Sequence, residues 1–218
     1  MGISGRMRRV VALGGEAVIE TIPPPSLPPK GYLVAGECSL ISAGTELMTI
    51  AASADGRPAR PLGYSLVGRV LACGPEAPPL PVGQRVASAG FQWAWHAERV
   101  AVPFRMTTVV PDGVPAESAT FTTLGALALH ALRQGQITIG DRAVVIGLGV
   151  VGQVLAQTLL AAGADVCALD LVASRRRKAA ELSVPLVAGE PGDDAAGIVR
   201  DWSGGAGADT VFLCTAGG

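Results

Sequence analysis

Ala143-Val144-Val145-Ile146-Gly147-Leu148-Gly149-Val150-Val151-Gly152 is an apolar run that breaks into glycines spaced G-x-G-x-x-G and then resumes as helix-forming sequence. A chain leaving a buried strand here must double back at Gly147, let a ligand reach bare backbone at Gly149, and bring helix and strand together at Gly152. Only glycine suits all three demands, and the stretch reads as a dinucleotide cradle. The following helix, expected from Val150 to Ala162 with Gly163 as its stop, aims its unpaired N–H groups and positive dipole end at the phosphates. A second strand, Asp165 to Leu169, ends in Asp170, twenty-three residues beyond Gly147, near the spacing of about 20 at which an acid meets the adenosine ribose hydroxyls.

Glycine is common in this chain, 29 of 218 residues, so the motif alone is weak and its flanks decide the reading. After Gly135 and Gly140-Asp141 the pattern runs strand, helix, strand, helix, strand: Arg142 to Ile146, Val150 to Ala162, Asp165 to Leu169, Ser174 to Leu182, then Thr210 to Cys214. Strands alternating with helices imply a parallel, doubly wound sheet with right-handed crossovers. Thr215-Ala216-Gly217-Gly218 follows what should be the fourth strand of a sheet ordered 3-2-1-4-5-6. The last two strands of that order have no sequence, which favours a fragment over a bare edge covered by another chain.

Upstream the grammar differs. Short β-branched runs separated by proline and glycine, Arg9 to Leu13, Ala17 to Ile22, Tyr32 to Ser39, Tyr64 to Ala72, Gln84 to Ala87 and His96 to Val102, predict an irregular all-β unit. Pro23-Pro24-Pro25, Pro28-Pro29 and Pro78, Pro79 and Pro81 mark loops. At Pro111-Asp112-Gly113-Val114-Pro115 the pattern turns helical, and one buried connecting helix is expected from Pro115 to Arg133. The whole is α/β plus β.

Hydrophobic residues at 49% against 16% charged exclude an extensively disordered chain and suit strands buried on both faces. A net charge of −1 provides no field that would recruit nucleic acid or anionic lipid, so neither partner is expected. Cys38, Cys73, Cys167 and Cys214 are scattered, without C-x-x-C, and read as small buried hydrophobes in a reducing compartment. No run reaches the roughly 18 apolar residues of a membrane span, and the opening Met1-Gly2-Ile3-Ser4-Gly5-Arg6 lacks a signal-peptide core, so a cytoplasmic protein is expected. His96 and His130 have no Cys, Asp or second His at ligand spacing and read as structural. Trp93 and Trp95 should share one face of an extended segment.

A β-rich unit, a connecting helix and a G-x-G-x-x-G unit together resemble the medium-chain dehydrogenase/reductase superfamily, which includes zinc alcohol dehydrogenases and quinone oxidoreductases. The resemblance covers nearly the whole chain. It is carried by Ser39-Leu40-Ile41-Ser42-Ala43-Gly44-Thr45-Glu46-Leu47, Leu62-Gly63-Tyr64-Ser65-Leu66-Val67-Gly68-Arg69-Val70, Val82-Gly83-Gln84-Arg85-Val86 and Gly140-Asp141-Arg142. It implies a GroES-like N-terminal domain with the connecting helix over residues 1–134, then an incomplete Rossmann domain over 135–218 lacking its last strands. The Ser-Ala-Gly-Thr-Glu and Gly-Tyr-Ser segments resemble a branch of bacterial dehydrogenases linked to sugar, cyclitol and surface-polysaccharide metabolism.

In zinc-dependent members a Cys-Gly-Thr-Asp segment, a Gly-His-Glu segment and a Cys or Asp on the connecting helix supply the metal ligands. The matching positions here are Ala43, Tyr64 and Thr123, none a good zinc ligand, and the stretch from Val86 to His96 is too short for the cysteine-rich lobe of a structural zinc. No zinc is therefore expected. Thr45 matches the hydroxyl that relays the substrate proton in the zinc enzymes, and Tyr64 replaces a metal-binding histidine, so the two are expected to form an acid/base pair; the alternative is that Tyr64 only packs.

The candidate cofactor residues are Gly147, Leu148, Gly149, Val150, Val151, Gly152, Asp170, Arg175 and Thr215. Asp170 favours NAD(H) by repelling a 2′-phosphate; Arg175, Arg176, Arg177 and Lys178 keep NADP(H) open. The resemblance thus implies a zinc-independent NAD(P)-dependent oxidoreductase interconverting an alcohol and a carbonyl on a small polyol, cyclitol or sugar-like molecule, homo-oligomeric in its full-length form. The alternatives are an enoyl or quinone reductase and, from another class, a nucleotide-binding fragment without catalysis.

Overall fold

The computed structural model describes residues 5–215. The expectations about the first four residues, and about Ala216, Gly217 and Gly218, lie outside it. The chain divides into two compact units, Met1–Thr123 and Leu124–Gly218.

The first unit is built on β1 (Met7–Leu13), β2 (Glu16–Ile22), β3 (Gly31–Ser39), α1 (Ala43–Ala51), β4 (Arg60–Pro61), β5 (Ser65–Cys73), β6 (Arg85–Ala89), β7 (Arg99–Pro103), β8 (Thr107–Val109) and α2 (Ala116–Ala119). Three strands form an antiparallel sheet in the order β2-β1-β4, and five form a second in the order β7-β3-β5-β6-β8. The second sheet buries Tyr32, Val34, Leu66, Val70, Val86, Val100 and Val102 against Ala94 and the half-buried Trp93 and Trp95. Because side chains alternate along a strand, one face of β3 and β5 fills this cluster while Val67 on the other face packs with Ala87, Val110 and Ala119.

The second unit contains α3 (Thr122–Gln134) from its third residue on, then β9 (Arg142–Ile146), α4 (Val150–Ala161), β10 (Asp165–Leu169), α5 (Ala173–Glu181), β11 (Leu186–Ala188), α6 (Ala195–Trp202) and β12 (Thr210–Leu213). Its four strands are parallel in the order β11-β10-β9-β12, which is 3-2-1-4 in chain order, as the sequence predicts. Ala143 and Val145 point to one core with Leu155, Ala156 and Leu159 of α4, and Val144 points to the other with Cys167, Leu169 and the half-buried Ile198 and Trp202. Burial on both faces explains why β9 reads as a continuous apolar run.

Several expectations are corrected. The single helix Pro115–Arg133 is two, because the hydroxyl of Thr120 donates to Glu117 O at 2.6 Å, that of Thr122 donates to Ala119 O at 2.7 Å, and Ser65 Oγ donates to Thr120 O at 2.6 Å. Hydroxyls occupying these carbonyls replace the helical ladder between α2 and α3. The helix is also less buried than expected: Leu124 and Ala128 are covered while Leu127 and Leu129 stay about half exposed. By compactness the chain divides at Thr123/Leu124, since Ala128, Ala131 and Leu132 pack with the parallel-sheet core. The strand expected from His96 begins at Arg99; His96 lies in a connection whose N–H donates to Leu62 O and whose carbonyl accepts from Val10 N, both at 2.9 Å. Trp93 and Trp95 do contact the same cluster, but from a turn rather than an extended segment. Helix α1 is absent from the sequence reading, as are the short β4, β8 and β11 and helix α6. Among the described residues no helix is long and apolar enough to cross a membrane.

Candidate functional site

The glycine loop joins β9 to α4. Gly147 has φ +95°, a left-handed conformation that L side chains rarely adopt, and a Cβ there would press on the backbone of Cys214 and Thr215 at 2.9 Å. A Cβ on Gly152 would run into the carbonyl oxygen of Gly147. These two glycines are required by the fold itself. Gly149 differs: its φ of −65° is open to any residue, and among the described residues nothing beyond its chain neighbours lies within 4 Å of where a Cβ would sit. The bare backbone at Gly149 thus borders open space rather than packing, the property a phosphate cradle needs at that position. Gly149 is the N-cap of α4, followed by Val150 and Val151 in the first turn, where backbone N–H groups have no intrahelical acceptor.

Asp170 follows β10 beside this loop. Its Oδ2 accepts from Leu148 N and its Oδ1 from Val172 N, each at 2.7 Å, and Arg175 reaches Oδ2 at 3.4 Å. Burial acts to raise the Asp170 pKa, but the N–H groups of Val172 and Leu148, joined by the Arg175 guanidinium, outweigh it and hold the carboxyl below its ordinary value. The group is therefore an anion that also ties the glycine loop to the end of the second strand. Arg175 is exposed and is the one side-chain partner of the three. Arg176, by contrast, donates to the Asp170 and Gly189 carbonyls and pairs with Glu190. Thr215 is exposed, with its backbone nitrogen against Gly147. Sequence reasoning missed Gln153, whose Nε2 donates to Leu148 O at 3.3 Å and to Arg175 O at 2.9 Å and so links the loop to the start of α5; a glutamine in the turn after the third glycine was the available signal.

In the first unit, Tyr64 is half-buried and its hydroxyl donates to Ser42 Oγ at 2.7 Å. Ser42 is the N-cap of α1, and Thr45, three residues on, is exposed with its carbonyl accepting from Thr49 Oγ1. Among the described residues no hydrogen bond joins Thr45 to Tyr64; the partner of the phenol is Ser42. Thr123 shares a 2.7 Å hydrogen bond with Ser65 Oγ. Ala43, Tyr64 and Thr123, the three positions that the resemblance matches to metal ligands, are tied together through their neighbours, with Ser42 bonded to Tyr64 and Ser65 bonded to Thr123.

Beneath Tyr64 lies a polar cluster that sequence reasoning did not assemble. Glu46 accepts from Ser42 N at 2.8 Å through Oε1 and faces His96 Nε2 at 2.9 Å through Oε2. His96 Nδ1 lies 2.8 Å from Ser39 Oγ. The side chains of His96 and Glu46 are only 10% and 7% exposed. His96 had read as structural because no ligand-type residue lies near it in sequence; its partner is fifty residues away, and the only local signal was the acid four residues after a helix-capping serine.

Among the described residues no three His, Cys, Asp or Glu side chains come together as metal ligands. The four cysteines are free, and Cys167, fully buried in β10, has its thiol pushed up to about 11 by burial.

No protein-family model matches the chain. It is 29% identical over 178 residues to an (R,R)-butanediol dehydrogenase of Bacillus subtilis, covering 71% of this chain and 51% of that protein. It is 34% identical over 123 residues to a 2-dehydro-3-deoxy-L-galactonate 5-dehydrogenase of Pseudoalteromonas atlantica, covering 56% of this chain and 34% of that protein. The crystal structure of 2R,3R-butanediol dehydrogenase from Bacillus subtilis superposes with a TM-score of 0.79 at 23% identity, over 96% of this chain and 70% of that one. The chain spans about half the length of the first of these curated relatives and about a third of the second. The chain is thus similar in sequence to these dehydrogenases and shares its fold with the solved butanediol dehydrogenase.

Proposed function

We propose that this chain is the dinucleotide-binding and acid/base-bearing part of an NAD(H)-dependent, zinc-independent oxidoreductase that interconverts an alcohol and a carbonyl on a polyol, cyclitol or sugar-like molecule. The observation that carries the cofactor assignment is the contrast within the glycine loop: the fold requires Gly147 and Gly152, whereas Gly149 faces open space beside the free N-terminus of α4. Within the loop Gly147, Leu148, Gly149, Val150, Val151 and Gly152, the N–H groups of Gly147 and Leu148 are engaged by Leu169 O and Asp170 Oδ2, so the pyrophosphate would lie over the bare backbone of Gly149 and be held by the N–H groups of the first turn of α4, Val150, Val151 and Gly152, with Thr215 beside Gly147. Asp170 would accept from ribose hydroxyls, which favours NAD(H). Arg175 would be the partner to give way, because Leu148 and Val172 hold the carboxylate through backbone bonds. The bound nicotinamide supplies the hydride-accepting and hydride-donating carbon.

Zinc fits poorly at the matching positions. Ala43 has no donor atom, the Tyr64 hydroxyl donates to Ser42, and Thr123 is engaged with Ser65. In the absence of a Lewis acid the developing alkoxide needs a hydrogen-bond donor, and a half-buried phenol is chemically suited to this once its O–H turns from Ser42 Oγ to the alkoxide, the Ser42 hydroxyl then donating its own proton to the phenol oxygen as the phenol releases its proton. Tyr64 has this role in the reading. Thr45 lies on the exposed first turn of α1, where its hydroxyl is free to meet a substrate hydroxyl. The polyol or sugar class rests on the named activities of the relatives and not on a shaped pocket in the chain.

The test is a fluorescence titration of the 218-residue chain with NADH and, in parallel, NADPH. Saturable binding with NADH preferred is the expected result. A folded chain that binds neither nucleotide overturns the cofactor assignment, and a clear preference for NADPH overturns the role given to Asp170.

A further inference from the structure

We infer that His96 and Glu46 are positioning residues for the Tyr64 phenol: together they close a ring of contacts that holds Ser42, and through it the Tyr64 hydroxyl, in one place. The inference rests on the acid/base role proposed for Tyr64, but the ring itself is a property of the first unit alone.

The ring can be followed around. His96 N–H donates to Leu62 O at 2.9 Å, so the backbone just before Tyr64 hangs on His96. Gly63 comes next with φ +95°, and a Cβ there would meet His96 N at 2.7 Å and Nδ1 at 2.9 Å; the imidazole therefore lies directly against the backbone that presents Tyr64. From the other side of His96, Nε2 reaches Glu46 Oε2 at 2.9 Å, and Glu46 Oε1 accepts from Ser42 N at 2.8 Å. Ser42 Oγ then accepts from the Tyr64 hydroxyl at 2.7 Å, which closes the circuit.

The chemistry of the donors makes the arrangement directional. An ionised carboxylate can only accept, so Nε2 of His96 must carry the proton that faces Glu46. Nδ1 then accepts from the Ser39 hydroxyl when the ring is neutral, or donates to it when the ring is charged. Both oxygens of Glu46 are occupied and nine-tenths of its side chain is covered, which removes it from direct contact with a substrate. A buried acid is costly unless fully bonded, and here one oxygen is bonded to Ser42, the N-cap of α1, and the other to His96, so the acid links the two. The geometry serves placement: a phenol that must meet a developing alkoxide gains from being held within a fraction of an ångström.

The chain has two tyrosines, Tyr32 and Tyr64, and the Tyr32 hydroxyl donates to Pro78 O at 2.9 Å, well outside the ring. Labelling tyrosine with ¹³C at Cζ and recording spectra in mixed H₂O and D₂O reads the exchange rate of each hydroxyl separately, with Tyr64→Phe assigning the signals. In His96→Asn the Tyr64 hydroxyl should exchange about tenfold faster, the factor one net hydrogen bond is worth, while Tyr32 is unchanged. Glu46→Gln keeps the shape and one acceptor, and should give a smaller increase in the same direction.

Unchanged Tyr64 exchange in variants whose Tyr32 signal shows them folded overturns the inference. If His96→Asn fails to fold, the Glu46→Gln result decides alone. NADH titration of the same wild-type sample keeps the two readings apart: intact exchange behaviour without nucleotide binding removes the oxidoreductase reading and leaves the ring, whereas binding without coupled exchange does the reverse.

Discussion

Among the glycines of the loop, identical side chains have different physical reasons. Gly152 is bare because a methyl would collide with the Gly147 carbonyl, and Gly147 because its φ is positive and its neighbours are backbone. Gly149 meets neither condition. Gly149→Ala should therefore fold normally, losing at most about 1 kcal/mol as an N-cap change, yet bind NADH at least tenfold more weakly, the result of about 1.4 kcal/mol of lost approach. Gly152→Ala should lose several kcal/mol of stability, of the order of overpacking in a closed core. Thermal denaturation and nucleotide titration on both variants check the pair, and equal stability losses would contradict this division of labour. The motif's spacing already read Gly147 as the turn, Gly149 as the approach for a ligand and Gly152 as the helix–strand contact; what the sequence did not contain is what stands opposite each glycine.

At the scale of elements, the most informative departure is the break between α2 and α3. Pattern alone predicts one continuous helix, since Ala116 to Gln134 is rich in small and apolar residues with good helical spacing. The hydroxyls of Ser65, Thr120 and Thr122 compete for the carbonyls at the junction, and the one from Ser65 arrives from a strand fifty-five residues away. Ser65 is 2% exposed and also bonds Thr123. Ser65→Ala should leave the Thr120 carbonyl and the Thr123 hydroxyl short of a partner and destabilise the first unit by about 1–3 kcal/mol; chemical denaturation followed through Trp93 and Trp95 measures it. Helix α1 carries the same lesson in reverse. Its sequence, Ala43 to Ala51, contains no strong start signal beyond Ser42, and its first turn is secured by Glu46, which is itself held by His96.

On the scale of the whole molecule, two units with separate cores predict that a ligand of one need not stabilise the other. Trp202 packs with the parallel sheet, whereas Trp93 and Trp95 belong to the β-rich unit. A variant carrying Trp93→Phe and Trp95→Phe reports only the second unit. At a hundredfold excess over its Kd, NADH should stabilise that unit by about 2.7 kcal/mol and raise its unfolding midpoint by several degrees, with a lesser effect on the first unit followed through Trp93 and Trp95 in Trp202→Phe. A shift confined to the Trp93 and Trp95 signals would contradict the assignment of the cradle to the second unit.

The amino-acid sequence by itself determined the β-rich part, the parallel-sheet part with its 3-2-1-4 strand order and the position of the glycine loop between β9 and α4, because hydrophobic period, glycine spacing and chain direction are local quantities. Asp170 was legible as the acid at the end of the second strand, though its bonds to Leu148 and Val172 were not. Only the tertiary structure decided where the connecting helix breaks, which residue receives the Tyr64 hydroxyl, and that His96 and Glu46 belong to one cluster. Each of those joins groups far apart in sequence through hydrogen bonds in a buried setting, and such bonds leave no period or spacing in the chain.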